Sequence, residues 1–291
     1  MGFSVVRLSA SWREVRQFGF GHLDWLFEHA QAAQQPVLLT VGMKALGWPE
    51  FYLPEGMESG DRMVQRAAIE QVRAVVGRYA SSPVLRAWQI ENEPFNRSGP
   101  AGQWIPRWLV RREVGAVRAI DATRPLIVTA FAHFDELLDR SSSRHQSKWK
   151  RRFGLAVPAE REALAVLPPG GVLGLDVYRS IGWIDPEGQE RVAHAMPDQL
   201  PEVRRWHRIA CEQGKQLWVT EAQAEPWEAR RRTHGDPRTV VPGEAFRLVE
   251  ELTAAGVETV LLWGSEYWLW REENGDPRWV DSVSMGLRAL A

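Results

Sequence analysis

Short apolar runs alternate with longer amphipathic segments along almost the whole chain, and this alternation constrains the fold more than any other feature. Strand-like runs lie at residues 4–8, 36–41, 84–90, 126–130, 172–177, 216–220 and 257–263. Between them a helical period predicts helices over residues 23–34, 61–79, 104–120, 201–213 and 243–255, with Asp61 as an N-cap and Gly214 and Gly256 as stops. A polar, helix-prone stretch over 135–167 is closed by Pro168-Pro169-Gly170-Gly171. Strand-then-helix order of this kind predicts an all-parallel sheet in an α/β fold. The first strand is not followed by Gly-x-Gly-x-x-Gly, so a dinucleotide-binding fold loses its main support. With no repeat or linker, the chain reads as one domain over 1–291.

Composition narrows the function classes. The 291 residues are 44% apolar and 25% charged, enough for a sizeable core, and the net charge of -1 gives no global pull toward nucleic acid or a membrane surface. The basic run Arg144–Arg152 reads as a solvated helix face. No apolar run reaches the roughly 18–20 residues of a membrane-spanning helix. Cys211 stands alone, which excludes an intrachain disulfide framework and a Cys-rich zinc site and fits the cytoplasm. The seven His form neither His-x-His nor His-Glu-x-x-His, and there is no Gly-x-Ser-x-Gly elbow, so neither a metal nor another cofactor is expected. The 15 Trp serve equally as core residues and as stacking surfaces for sugar rings.

Two apolar runs end in carboxylates: Trp88-Gln89-Ile90-Glu91-Asn92-Glu93-Pro94 and Gln216-Leu217-Trp218-Val219-Thr220-Glu221. Paired strand-end carboxylates are what glycoside hydrolysis requires, one as proton donor and one as nucleophile or base. Side chains alternate along a strand, so Asn92 and Glu93 reach one site only where the pleat ends or bulges. Glu91 shares the parity of Glu93 and is expected one layer down, as a competing partner for Arg7.

These landmarks, in this order, resemble the clan A glycoside hydrolases, the barrel group of the family 5 cellulases and mannanases and the family 42 β-galactosidases. Gly2-Phe3-Ser4-Val5-Val6-Arg7-Leu8 with Trp12 is similar to the clan's second strand, Asn92-Glu93-Pro94 to the end of its fourth, Tyr178 to its sixth, Thr220-Glu221 to its seventh and Trp263 to its eighth. The resemblance implies a TIM (β/α)8-type barrel and retaining cleavage of β-linked glycosides by double displacement, with Glu93 as general acid/base and Glu221 as nucleophile. It implies Arg7 as the cation beside Glu221, Asn92 on the sugar 2-hydroxyl and Trp263 as the floor of the sugar subsite. Tyr178 is either a partner of Glu221 or a buried structural tyrosine. Lys44 stands where family 5 enzymes more often place a His, and two roles stay open for it, a sugar hydroxyl or an acidic substrate group. Trp48, Trp227 and Trp268 are placed on loops after strands, on the face where barrel sites form, with Glu225 and Glu266 as hydroxyl ligands or rim charges.

Residue 1 aligns with the approach to the clan's second strand, so the expected fold is an incomplete barrel with seven visible parallel strands. Its two open edges are expected to be covered by a second copy of the chain. A non-catalytic carbohydrate-binding remnant is the alternative to the enzyme.

Overall fold

The computed structural model describes residues 2–47, 49–99, 101–131, 157–230 and 236–290. Trp48, the basic run Arg144–Arg152 and most of the stretch 135–167 therefore lie outside the described residues. The seven expected strands form as β1 (Val6–Ser9), β2 (Val37–Val41), β3 (Leu85–Ile90), β4 (Leu126–Phe131), β5 (Val172–Val177), β8 (Gln216–Gln223) and β9 (Val260–Trp263). They make one sheet in the order β1-β2-β3-β4-β5-β8-β9, with every neighbouring pair parallel. This is the incomplete barrel anticipated from the strand count. After β5 the chain makes an antiparallel hairpin, β6 (Ser180–Ile184) with β7 (Glu190–His194), which apolar periodicity did not predict.

The helices are α1 (Trp12–Phe18), α2 (Gly21–Ala32), α3 (Arg62–Tyr79), α4 (Arg107–Ile120), α5 (Ala159–Val166), α6 (Gln199–Glu212), α7 (Glu244–Ala254), α8 (Ser265–Glu273) and α9 (Arg278–Leu290). Asp61 caps α3, its carboxylate accepting from the Met63 amide at 2.7 Å. The α3 residues Val64, Ala68, Val72, Val75 and Val76 recur at helical spacing and join the main core with the outward side chains of the strands. Helix α1 was missed because it is short, and α8 because its Trp residues and charges are mixed round it; α9, with 13 residues and a clear apolar face, was legible but not read. Trp268, expected on a loop, lies in α8 and is buried, with its indole N–H donating to the Ala224 carbonyl at 2.7 Å.

The inner face of the sheet changes character along the strands. Val5, Leu38, Ala87, Ile127, Val172, Trp218 and Leu261 make a small apolar floor. Two residues further along the first four strands, on the same face, stand Arg7, Thr40, Gln89 and Thr129. A two-residue period therefore turns a dry floor into a polar layer toward the C-terminal strand ends. Strands β1 and β9 are the two edges of the sheet. Phe3, just ahead of β1, stacks on Trp268 beyond β9, with ring centroids 6.2 Å apart. Side chains, not ladder hydrogen bonds, span from one edge to the other among the described residues.

Candidate active site

Two departures from regular strand geometry bring the carboxylates together. Strand β3 ends at Ile90, and Glu91 and Glu93 then take positive φ values of 57° and 42°. This conformation is unfavourable for residues other than Gly and persists only where its surroundings enforce it. It is enforced here by the Glu93 amide donating to Thr129 Oγ1 at 2.7 Å and the Asn92 amide donating to the Lys44 carbonyl at 2.8 Å. Strand β8 bulges at Thr220: Leu175 faces Val219, but Asp176 faces Glu221. The extra residue lets Thr220 and Glu221 both reach the interior.

Glu221 is buried with a donor on each oxygen. Arg7 Nη2 donates to Oε1 at 2.5 Å and the Tyr178 hydroxyl donates to Oε2 at 2.7 Å. A charge-assisted bond and a phenol bond together fix the rotation of the carboxylate. The Arg7 guanidinium also lies 5.5 Å from the centre of the Trp263 ring. Replacing Arg7 by Met would strand the Glu221 charge in the interior. The expected cost is about 3–5 kcal/mol of stability, read as a lower urea midpoint, together with loss of turnover. A midpoint within about 1 kcal/mol of the native protein would show that the pair is not the cross-link it looks to be.

Glu93 has the opposite environment. Burial pushes its carboxyl up to about 8, opposed by the Lys44 charge and reinforced by Glu50 and Glu221. One carboxylate oxygen each of Glu93, Asp176 and Glu221 lies within 4.8 Å of the other two. Arg7 supplies the compensating charge in that cluster, and the remaining acid groups are pushed toward their protonated forms by burial.

Asn92 Oδ1 accepts from Gln89 Nε2 at 3.1 Å, which leaves its amide nitrogen for the cavity it lines. Trp263 and Trp227 both point their indole N–H at Glu225 Oε1, at 2.9 and 3.3 Å. Burial pushes Glu225 up to about 7. Trp227 is partly exposed and its ring centre lies 4.7 Å from that of Tyr178. Arg7, Asn92, Glu93, Tyr178, Glu221, Glu225, Trp227 and Trp263 line one cavity of about 1520 Å³, which also reaches β1 and β9 at both sheet edges.

Lys44 does not reach that cavity. It is fully buried, and its ammonium donates to the Glu93 and Asn96 carbonyls at 2.8 and 3.4 Å and pairs with Glu50 at 3.0 Å. Its task is to hold the turn that carries Glu93. Glu91 is a plain correction: it does not compete for Arg7. Positive φ turns it toward β2, where it accepts from the Met43 and Lys44 amides at 3.0 and 2.5 Å. It sits so close to Gly42 that a Cβ there would lie 2.3 Å from its carboxyl carbon, so only Gly fits.

Behind Glu91 stands Glu113 of α4, fully buried, with no N–H or O–H donor to either oxygen and a hydrogen bond to Glu91. Glu91 has its two amide donors but Glu113 has none, so the two facing acids must hold a proton between them. Burial pushes Glu91 from 4.5 up to about 7 and Glu113 well above its usual range. The native state thus keeps protons that the unfolded chain releases, so stability falls as pH rises from about 4.5 through 7. The melting temperature should drop over that window. Glu113→Gln, whose amide donates permanently, should flatten the slope in thermal melts; an unchanged slope would remove the pair as its source.

Two site residues escaped the sequence reading. Gln89 joins Arg7 (3.2 Å) to Asn92, and Asp176 is the third carboxyl of the cluster. The available signal was a polar residue on the inner parity of an otherwise apolar strand, costly to bury unless it is used.

No family model matches the sequence, and no curated protein matches it. Solved structures do resemble it. A β-galactosidase from the psychrophilic Marinomonas ef1 superposes with a TM-score of 0.57 at 15% identity, over 90% of this chain and 50% of that one. The fold of the chain is similar to that of clan A glycoside hydrolases. A GH5_18 protein from Streptomyces cattleya in complex with GlcNAc gives 0.55 at 15% identity, over 90% of this chain and 62% of its own. A β-glucosidase from Thermotoga maritima in complex with azafagomine gives 0.55 at 11%, over 88% and 72%. The chain thus spans about half the length of the first of these clan A structures.

Proposed function

We propose that the chain is a retaining glycoside hydrolase for β-linked sugars. One observation carries this reading: an oxygen of Glu93 and an oxygen of Glu221 lie within 4.8 Å of each other in opposite environments, Glu93 pushed up by burial and Glu221 held by Arg7 and Tyr178. Retaining enzymes keep their carboxyl groups about 5–5.5 Å apart, whereas inverting ones need about 6.5–9.5 Å to admit a water. Divergent environments assign the roles. Glu93 protonates the glycosidic oxygen as the C–O bond breaks, while Glu221 bonds to the anomeric carbon. Glu93 then takes a proton from water, the hydroxide bonds to the anomeric carbon and Glu221 leaves. The Asn92 amide is placed to donate to a sugar hydroxyl, and Trp263 and Trp227 offer ring faces on either side of Glu225.

Structural neighbours named as β-galactosidase and β-glucosidase suggest where to start. The purified chain is assayed on nitrophenyl β-galactoside, β-glucoside and related glycosides, with Glu221→Ala as control. Release above the control on at least one substrate is expected. Equal rates across the panel would sink the enzyme reading and leave a carbohydrate-binding remnant.

A further inference from the structure

The double displacement gives Asp176 no task, although it stands at the centre of the site. It is fully buried on β5, and its Oδ1 accepts from Thr220 Oγ1 at 2.6 Å. Its Oδ2 is enclosed with no N–H or O–H donor. The groups around it are all committed elsewhere. Arg7, from β1, donates to Glu221 and Gln89; Tyr178, just past the end of β5, donates to Glu221. Lys44, beyond β2, is held by Glu50 and two carbonyls. What faces Asp176 is acid: Glu93 from the end of β3, with which it shares a hydrogen bond, and Glu221 from β8.

We infer that Asp176 acts as a neutral carboxylic acid that donates its Oδ2 proton to Glu93, and so positions Glu93 and stabilises it as a carboxylate in the second half-reaction. An ionised Asp176 would place a second charge beside Glu221 with Arg7 as the one paired cation, and in the second half-reaction, when Glu93 is a carboxylate, its Oδ2 would have no donor at all. Protonated, the same oxygen becomes the missing donor. Burial, with the charges of Glu221 and Glu93, pushes Asp176 well above the carboxylate range, in the same sense.

The inference rests on the retaining-glycosidase reading, and it gives the cycle a consistent proton count. Glu93 passes its own proton to the leaving oxygen, and Asp176 then donates to the resulting carboxylate without losing its proton. Water gives its proton to Glu93 as the glycosyl–Glu221 bond breaks, and the starting state returns. Asp176 is thus a positioning residue.

Infrared difference spectra at neutral pH, comparing Asp176→Asn with the native protein, test the proton directly. Loss of a protonated-carboxyl C=O band is expected; loss of ionised-carboxylate bands instead would overturn the inference. This readout needs no turnover, so an inactive native protein would sink the glycosidase reading while the spectrum still reports on Asp176. With activity in hand, Asp176→Ala should move the alkaline limb of kcat/KM up by about one pH unit and slow hydrolysis of the glycosyl-enzyme about ten-fold. Asp176→Asn, which keeps an N–H donor, should recover most of both. An Asn variant as slow as Ala, or one whose alkaline limb falls by a unit or more, would show that Asp176 works as an anion. Should the Ala variant fail to fold, the spectrum and the pH profile of the Asn variant decide.

Discussion

Glu221→Ala is expected to lower turnover of an aryl β-glycoside by about 10⁴-fold or more, because no other group can bond to the anomeric carbon from that side. Arg7 and Tyr178 fix the carboxylate they flank, and neither is a nucleophile in its place. The variant also leaves Arg7 buried without its anion. Thermal melts must therefore accompany the kinetics, with Glu221→Gln as the less disruptive companion. Space vacated by the carboxylate suits a small anion such as azide. With a good leaving group, azide should restore turnover and give a glycosyl azide of inverted configuration, readable by NMR. A folded Glu221→Ala protein within ten-fold of the native rate would exclude Glu221 as the nucleophile.

Glu93→Gln should divide substrates by leaving group. Proton donation contributes about 10²–10⁴-fold where the departing oxygen is basic, and little where it is an activated phenol. Alkyl glycosides should therefore lose about that factor, while an activated aryl glycoside still glycosylates the enzyme and stalls at the second step. The pH profile provides a separate check. Burial pushes Glu93 from 4.5 up to about 8, so it keeps its proton through neutrality and gives it up above that value. In the native protein kcat/KM should fall on the alkaline side near pH 8, and Glu93→Gln should abolish that limb. A limb unchanged in the variant would assign the titration to another acid of the site, Asp176 or Glu225.

Much of the fold was legible because a parallel α/β sheet imposes local patterns. The central strands β2, β4 and β5 are buried on both faces and read as apolar runs, and the longer helices such as α3 show one apolar stripe. The hairpin of β6 and β7 was not legible, since its residues are half exposed and carry no such run. At the site, residues that act from strand ends could be found, because a carboxylate closing an apolar run is a local event. The direction of Glu91 could not. Parity aimed it at Arg7, but positive φ at Glu91 sent it to the amides beyond β2. Lys44 likewise looked available for substrate, but the turn at Glu93–Asn96 and the Glu50 carboxylate close over its ammonium.

The sequence by itself determined the order of the seven sheet strands, the longer helices between them and the two glutamates near the ends of β3 and β8, because periodicity and residue type are properties of neighbouring residues. The tertiary structure alone decided which acids share protons, which cation meets which carboxylate, and that Asp176 joins the two glutamates in one cluster. Those facts depend on the bulge at Thr220, on the turn at Glu91–Glu93 and on contacts such as Arg7–Glu221, 214 residues apart in the chain. Burial then sets the charge of each group through the donors that happen to surround it, and no local pattern encodes that environment.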